Sequence, residues 1–180
     1  MNNEQSKSLR LAKMAMLVAI SIVLVMLVHF PIFPVVSFLE YDPADIPILI
    51  GAFAFGPGAG ILLTVVVSLL QGLTVSAGSG AYGIIMHILA TTTLVTVAGL
   101  IYRKHKTKKT AIIGLVAGTM AMAVVMCFAN MIITPMFMGV PLAFVMELMP
   151  FIVAFNVVKA GINSVVTFIL YKRISPFLHR

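Results

Sequence analysis

Apolar residues in this chain run in long blocks broken by short polar stretches. From Met14 to Phe30 the only polar side chains are Ser21 and His29. Further apolar stretches cover roughly 46–76, 81–102, 110–134 and 151–171. A helix needs about 20 apolar residues to span a bilayer, so four of the five stretches fit one crossing each. The stretch at 46–76 is too long, and Gly56-Pro57-Gly58 interrupts it. Proline removes a backbone donor and glycine favours turns, so this tripeptide predicts a hairpin point. Six helices are therefore expected, at about 10–30, 46–55, 58–76, 81–102, 110–134 and 151–172. The second is too short to cross about 30 Å of hydrocarbon at about 1.5 Å per residue. Its neighbours must shelter it, because unpaired backbone groups are costly in lipid. The fold class is an all-α integral membrane protein, a single domain over 1–180 forming one six-helix bundle.

Composition supports this pattern. Of 180 residues, 61% are hydrophobic and 9% charged, against about 45–50% and about 25% in soluble domains. Mean hydropathy is +1.14. A soluble globule, a disordered chain and a disulfide scaffold are all excluded. Cys127 is the single cysteine and lies in an apolar run, as a small packing residue does. The first apolar run is long for a signal peptide. Pro31 and Pro34 follow it without a small-residue cleavage site, so it is a mature helix.

The charge pattern gives the topology. Net charge is +7, and eleven of the twelve basic residues lie in three segments: Lys7–Lys13, Arg103–Lys109 and Lys172–Arg180. Such segments flanking apolar runs follow the positive-inside rule and are not a nucleic-acid footprint. An even number of crossings must separate them. Splitting the 46–76 stretch gives four crossings before the central cluster and two after it. Both termini are then cytoplasmic, and the segments near 31–46, 76–80 and 135–150 face outward. Glu40, Asp42, Asp45 and Glu147 lie in or beside these outer segments. Pro31, Pro34 and Pro43 within the first of them, and Pro47 just after it, make it stiff. No sequence repeat of the kind found in many secondary transporters is evident.

Polar residues at membrane depth carry the candidate chemistry. Asn156, Lys159 and Asn163 follow i, i+3, i+7 spacing and share one helical face. An ammonium within a membrane helix costs roughly 2.5–3.5 kcal/mol on insertion scales. Lys159 therefore faces a polar ligand cavity, pairs with an acid such as Asp45, or snorkels outward. The amide of Asn130 lies five residues before Pro135. With Asn156 and Asn163 it offers the mixed donors and acceptors that suit a flat heterocycle; helix–helix hydrogen bonding is the alternative. His87 is a ligand candidate or a hydrogen-bonded structural residue, and His29 sits near an interface. Thr91, Thr92 and Thr93 are expected to bond their own helix backbone. Ala15 and Ala19, four apart, form a small-residue face that permits close helix approach. There is no phosphate loop, metal-ligand spacing, partnered nucleophile or ladder of membrane carboxylates. These residues make a pocket, not an enzyme.

The run Phe38-Leu39-Glu40-Tyr41-Asp42-Pro43-Ala44-Asp45-Ile46-Pro47, continuing through Gly51 and Phe55-Gly56-Pro57, resembles a known pattern. It is similar to the first outer loop and short second helix of riboflavin-binding S components. These are the substrate-capturing subunits of energy-coupling factor (ECF) transporters. The resemblance continues through Gly99-Leu100-Ile101-Tyr102, Asn130 with Thr134-Pro135, and Pro150-Phe151 with Phe155-Asn156-Val157-Val158-Lys159. It implies a six-helix bundle in a bacterial plasma membrane that holds riboflavin near its outer face as substrate, with no intrinsic cofactor. It assigns Glu40 and Tyr41 to a lid and Asn130, Asn156, Lys159 and Asn163 to the pocket. His87 stands where relatives are expected to carry an amide. Ala15 and Ala19 match the small-residue motif that docks on a membrane coupling subunit, which works with two ATPases. The alternatives are an S component for thiamine or pantothenate, a self-sufficient ion-coupled transporter, and a small membrane enzyme using Lys159 or His87.

Overall fold

Gly56 takes φ +95°, a conformation that favours glycine, and Pro57 opens the next helix with its fixed φ. In the computed structural model, which describes residues 3–178, this pair splits the long apolar stretch into α2 (Asp45–Phe55) and α3 (Pro57–Leu73). The other helices are α1 (Asn3–Leu27), α4 (Gly80–Lys104), α5 (Lys108–Met138) and α6 (Leu142–Leu178). Four of them, α1, α4, α5 and α6, are long and apolar enough to cross a membrane. Nine consecutive residues of α2, Asp45–Phe53, are buried, so the short helix is enclosed by its neighbours as its length requires. On α3 the buried residues Ala59, Leu63, Thr64, Val67, Ser68 and Gln71 form one stripe. Leu62, Val66, Leu69 and Leu73 on the other side are exposed, a face suited to lipid.

Close backbone approach holds α4 against α5. A Cβ added at Gly114 would lie 2.8 Å from the Ala98 carbonyl oxygen, and one at Gly118 would lie 2.8 Å from that of Leu94. Glycine lets the two helices meet there as small residues do in membrane bundles.

The segment before α2 is ordered, as its prolines suggest. Two short strands, β1 (Phe30–Pro31) and β2 (Glu40–Tyr41), pair antiparallel with Phe30 opposite Tyr41 and Pro31 opposite Glu40. Between them a 3-10 turn at Pro34–Val36 drops Val36 into a small cluster with Val145, Leu148 and Ile152. The hairpin is thereby seated on the first half of α6. Most of the bundle packs around a separate, larger apolar cluster.

Several boundaries differ from the sequence-based expectation: α1 begins at Asn3 rather than near 10, and α6 runs to Leu178 rather than 172. Residues 135–150 are not a loop: α5 continues through Pro135 to Met138, and α6 begins at Leu142. Proline removes one helical hydrogen bond, but the turns on both sides persist. The stop comes at Gly139, whose left-handed φ of +65° ends α5. The chain then reverses through Val140 and Pro141.

Substituting Gly114 by Val forces apart the α4–α5 contact and is expected to destabilise by about 1–3 kcal/mol. Gly161→Ala, whose new Cβ meets nothing within 4 Å, is expected to be tolerated. Thermal melting of both purified variants in detergent checks the pair.

Candidate functional site

The segment Asp42-Pro43-Ala44-Asp45 turns on its own side chain: the Ala44 N–H donates to Asp42 Oδ1 at 3.0 Å. This turn carries the chain from the hairpin into α2 and buries both carboxylates, Asp42 at 2% and Asp45 at 0% exposure. Asp45 begins α2, where the helix N-terminus favours negative charge.

Each acid has its own partners. Asp42 Oδ2 accepts hydrogen bonds from Lys159 Nζ at 2.7 Å and Gln71 Nε2 at 3.3 Å. Asp45 Oδ1 accepts from the Thr91 hydroxyl at 2.6 Å, and Oδ2 from Asn163 Nδ2 at 3.1 Å. His87 Nε2 lies 3.4 Å from Asp45 Oδ1, within ion-pair range but not aligned as a hydrogen bond. Ser68 gives its hydroxyl proton to the Thr64 carbonyl, so His87 Nδ1 is the donor in the 2.7 Å bond to Ser68 Oγ. Burial works to raise the pKa of the Asp42 carboxyl. The Lys159 ammonium and its hydrogen bond, together with the nearby His87 ring, outweigh it and hold that pKa below the usual carboxylate range.

Above this network lies a cavity of about 940 Å³, counting the space at its mouth, between the hairpin, α3, α4, α5 and α6. Tyr82, Met86, Met126, Ile133, Phe137 and Phe155 make its walls mostly apolar. Glu40, His87, Asn130, Asn156 and Lys159 are among the residues that line it.

The amides of Asn130 and Asn156 each give one N–H to their own helix, to Met126 O and Ile152 O, both at 2.8 Å. One N–H remains on each. Asn130 Oδ1 accepts from the Thr134 hydroxyl at 2.8 Å. Lys159 spends two of its three N–H groups, on Asp42 and, at 3.4 Å, on the Glu40 carbonyl. The cavity thus retains unspent donors among apolar walls.

The family comparison adds to this geometry. Residues 9–171 match the family "ECF transporter, substrate-specific component". The chain belongs to the ECF S components. A relative, "Riboflavin transporter RibU" of Staphylococcus aureus (strain TCH60), is 33% identical over 187 residues, covering 100% of this chain and 96% of the relative. Another, "Riboflavin transporter FmnP" of Bacillus subtilis (strain 168), is 27% identical over 180 residues, covering 95% and 94%. A solved structure titled "Structure and mechanism of the S component of a bacterial ECF transporter" matches with TM-score 0.82 and 32% identity. That match covers 98% of this chain and 99% of the other. The S components are a transport family, not enzymes.

In this S component the expected lid residue Tyr41 and the expected pocket residue Asn163 are not on the cavity wall. The Tyr41 hydroxyl donates to Asn163 Oδ1 at 3.1 Å, and Asn163 Nδ2 donates to Asp42 O and Asp45 Oδ2. Both N–H groups of Asn163 and its oxygen are therefore engaged within the protein. Lys159 both lines the cavity and forms an ion pair, with Asp42 rather than Asp45. Thr91 bonds Asp45 instead of its own helix, whereas Thr93 bonds Leu89 O at 2.7 Å as expected. His29 pairs with Glu40 at 2.8 Å on the cavity wall. Ala15 and Ala19 are exposed on α1, on the side opposite the buried Met14, Leu17 and Ser21. Sequence reasoning overlooked Gln71 and Ser68. Their signal was the i, i+4, i+7 spacing of Thr64, Ser68 and Gln71 on one face of α3.

Lys159→Met alone leaves the Asp42 carboxylate buried without its cation and is expected to cost about 3–5 kcal/mol. Pairing it with Asp42→Asn is expected to recover most of that loss. Melting of the single and double variants in detergent measures the recovery, and a double variant no more stable than Lys159→Met contradicts the pairing.

Proposed function

We propose that this S component captures riboflavin in the cavity beneath the hairpin and passes it inward with an ATP-driven partner module. The observation that carries this reading is the set of unspent donors on Asn130, Asn156 and Lys159, held among aromatic and methionine walls. The pyrimidine edge of a flavin presents two carbonyls and an N–H beside a flat apolar ring system. Amide and ammonium donors pair with those carbonyls, and no protein donor is assigned to Asn156 Oδ1, which suits the N–H. The names of the relatives, both riboflavin transporters, support the same cargo.

In this reading Glu40 belongs to the lid over the site, and His87 holds the cavity wall beside Asp45. Tyr41 and Asn163 act one step back, by fixing the Asp42–Asp45 turn. All six helices lie within one bacterial plasma-membrane domain. Both termini and the Arg103–Lys109 cluster face the cytoplasm, and the hairpin faces outward. The exposed Ala15 and Ala19 form the face that meets a membrane coupling subunit, itself linked to two ATPases. The phosphate-loop motif is missing from this sequence, in keeping with energy supplied by those partners. Release inside requires that the docked state hold riboflavin less tightly than the free state.

Detergent-purified protein titrated with riboflavin is expected to quench flavin fluorescence saturably at one site. Asn156→Ala is expected to weaken binding by about 1–3 kcal/mol through one lost buried hydrogen bond. Absence of saturable quenching, with thiamine or pantothenate binding instead, rejects the riboflavin reading. The double variant Ala15→Trp, Ala19→Trp is expected to keep riboflavin binding but fail to co-purify with the coupling subunit. Normal co-purification removes α1 from the docking surface.

A further inference from the structure

Gln71 sits near the end of α3, is 7% exposed and lines the cavity. Its Nε2 donates to Asp42 Oδ2 and to Ser76 Oγ, both at 3.3 Å. These two bonds fix the amide, because reversing it would turn the Gln71 carbonyl toward the Asp42 carboxylate. Oε1 is left buried with no hydrogen-bond partner. Buried acceptors without a donor are rare in folded proteins and call for an explanation.

We propose that Gln71 Oε1 is a substrate contact whose missing donor is a hydroxyl of the ribityl chain. The inference rests on the riboflavin reading and adds to it a residue that sets specificity for the sugar-like end of the ligand. The surroundings choose the hydroxyl over the ring N–H. Ser76, Ser79, Glu40 and His29 also line the cavity, and Ser76 bonds both Gln71 and His29. Hydroxyls, a carboxylate and an imidazole suit a polyol, which both donates and accepts. The amides of Asn130 and Asn156 on α5 and α6 suit the flat pyrimidine edge. Gln71 thus gives the site a means of preferring a flavin with a hydroxylated chain to one without it.

The test compares riboflavin with lumiflavin, which keeps the ring and its N–H but replaces the ribityl chain by a methyl group. Purified full-length protein and its Gln71→Met variant are titrated with each by flavin fluorescence quenching. The wild type is expected to prefer riboflavin. Gln71→Met is expected to weaken riboflavin about tenfold while lumiflavin stays within about twofold. Equal losses for both ligands overturn the proposal, since Gln71 then acts only by bracing Asp42. Wild-type protein that binds lumiflavin as tightly as riboflavin also overturns it, whether or not the variant folds. Wild-type protein that binds neither flavin rejects the riboflavin reading itself and this inference with it.

Discussion

The buried pair of Asp42 and Lys159 is the constraint on which the site depends. An ammonium in an apolar helix is tolerated only with a partner, and here the partner comes from a segment 117 positions away in sequence. That single 2.7 Å contact ties the hairpin turn to α6. Around it the bonds extend to α3 through Gln71, to α2 and α4 through Asp45 and Thr91, and back to α6 through Asn163. Five parts of the chain meet at two carboxylates. Loss of Lys159 or of Asp42 leaves a buried charge without its counter-charge, so the network depends on that pair.

This network also separates support from contact. Asn163 lies four residues beyond Lys159, about 6 Å further along α6, and at that level meets the Asp42–Asp45 turn rather than open space. Its amide is saturated. Asn156 and Lys159, on the same face but nearer the hairpin, keep unspent hydrogen-bonding capacity. One helical stripe therefore supplies both the brace and the lining.

Much of the bundle was legible in the sequence because membrane folding leaves few choices. Gly56-Pro57 had to break an apolar stretch too long for one span, and Lys159 had to find a partner. Which acid it found was not legible. Asp42 and Asp45 are three residues apart, and the turn that bonds Ala44 N to Asp42 Oδ1 decides which one meets Lys159. The same limit hid Gln71, since its importance lies in an acceptor left over after Asp42 and Ser76 have taken its amide protons. Pro135 misled for another reason. A proline forbids one backbone bond, whereas the left-handed Gly139 reverses the chain.

The packing suggests why such a site can both hold and release a ligand. The bundle beneath the cavity is fixed by a large apolar cluster and by glycine contacts between α4 and α5 that admit no slack. The roof is different. The hairpin rests on a separate cluster whose buried members are Val36, Val145, Leu148 and Ile152, and it and the turn after it reach the floor through polar tethers: Lys159 to the Glu40 carbonyl, Lys159–Asp42, Tyr41–Asn163 and Gln71–Asp42. Elements with few buried apolar contacts open at the lower end of a protein's stability range. Two of the tethers end on Lys159, which also faces the cavity. A ligand that drew on this ammonium would act on the fastening of the roof, and occupancy and roof position would then be coupled through one side chain. In an S component that coupling provides a way for a change in helix arrangement to alter affinity without disturbing the glycine-packed core.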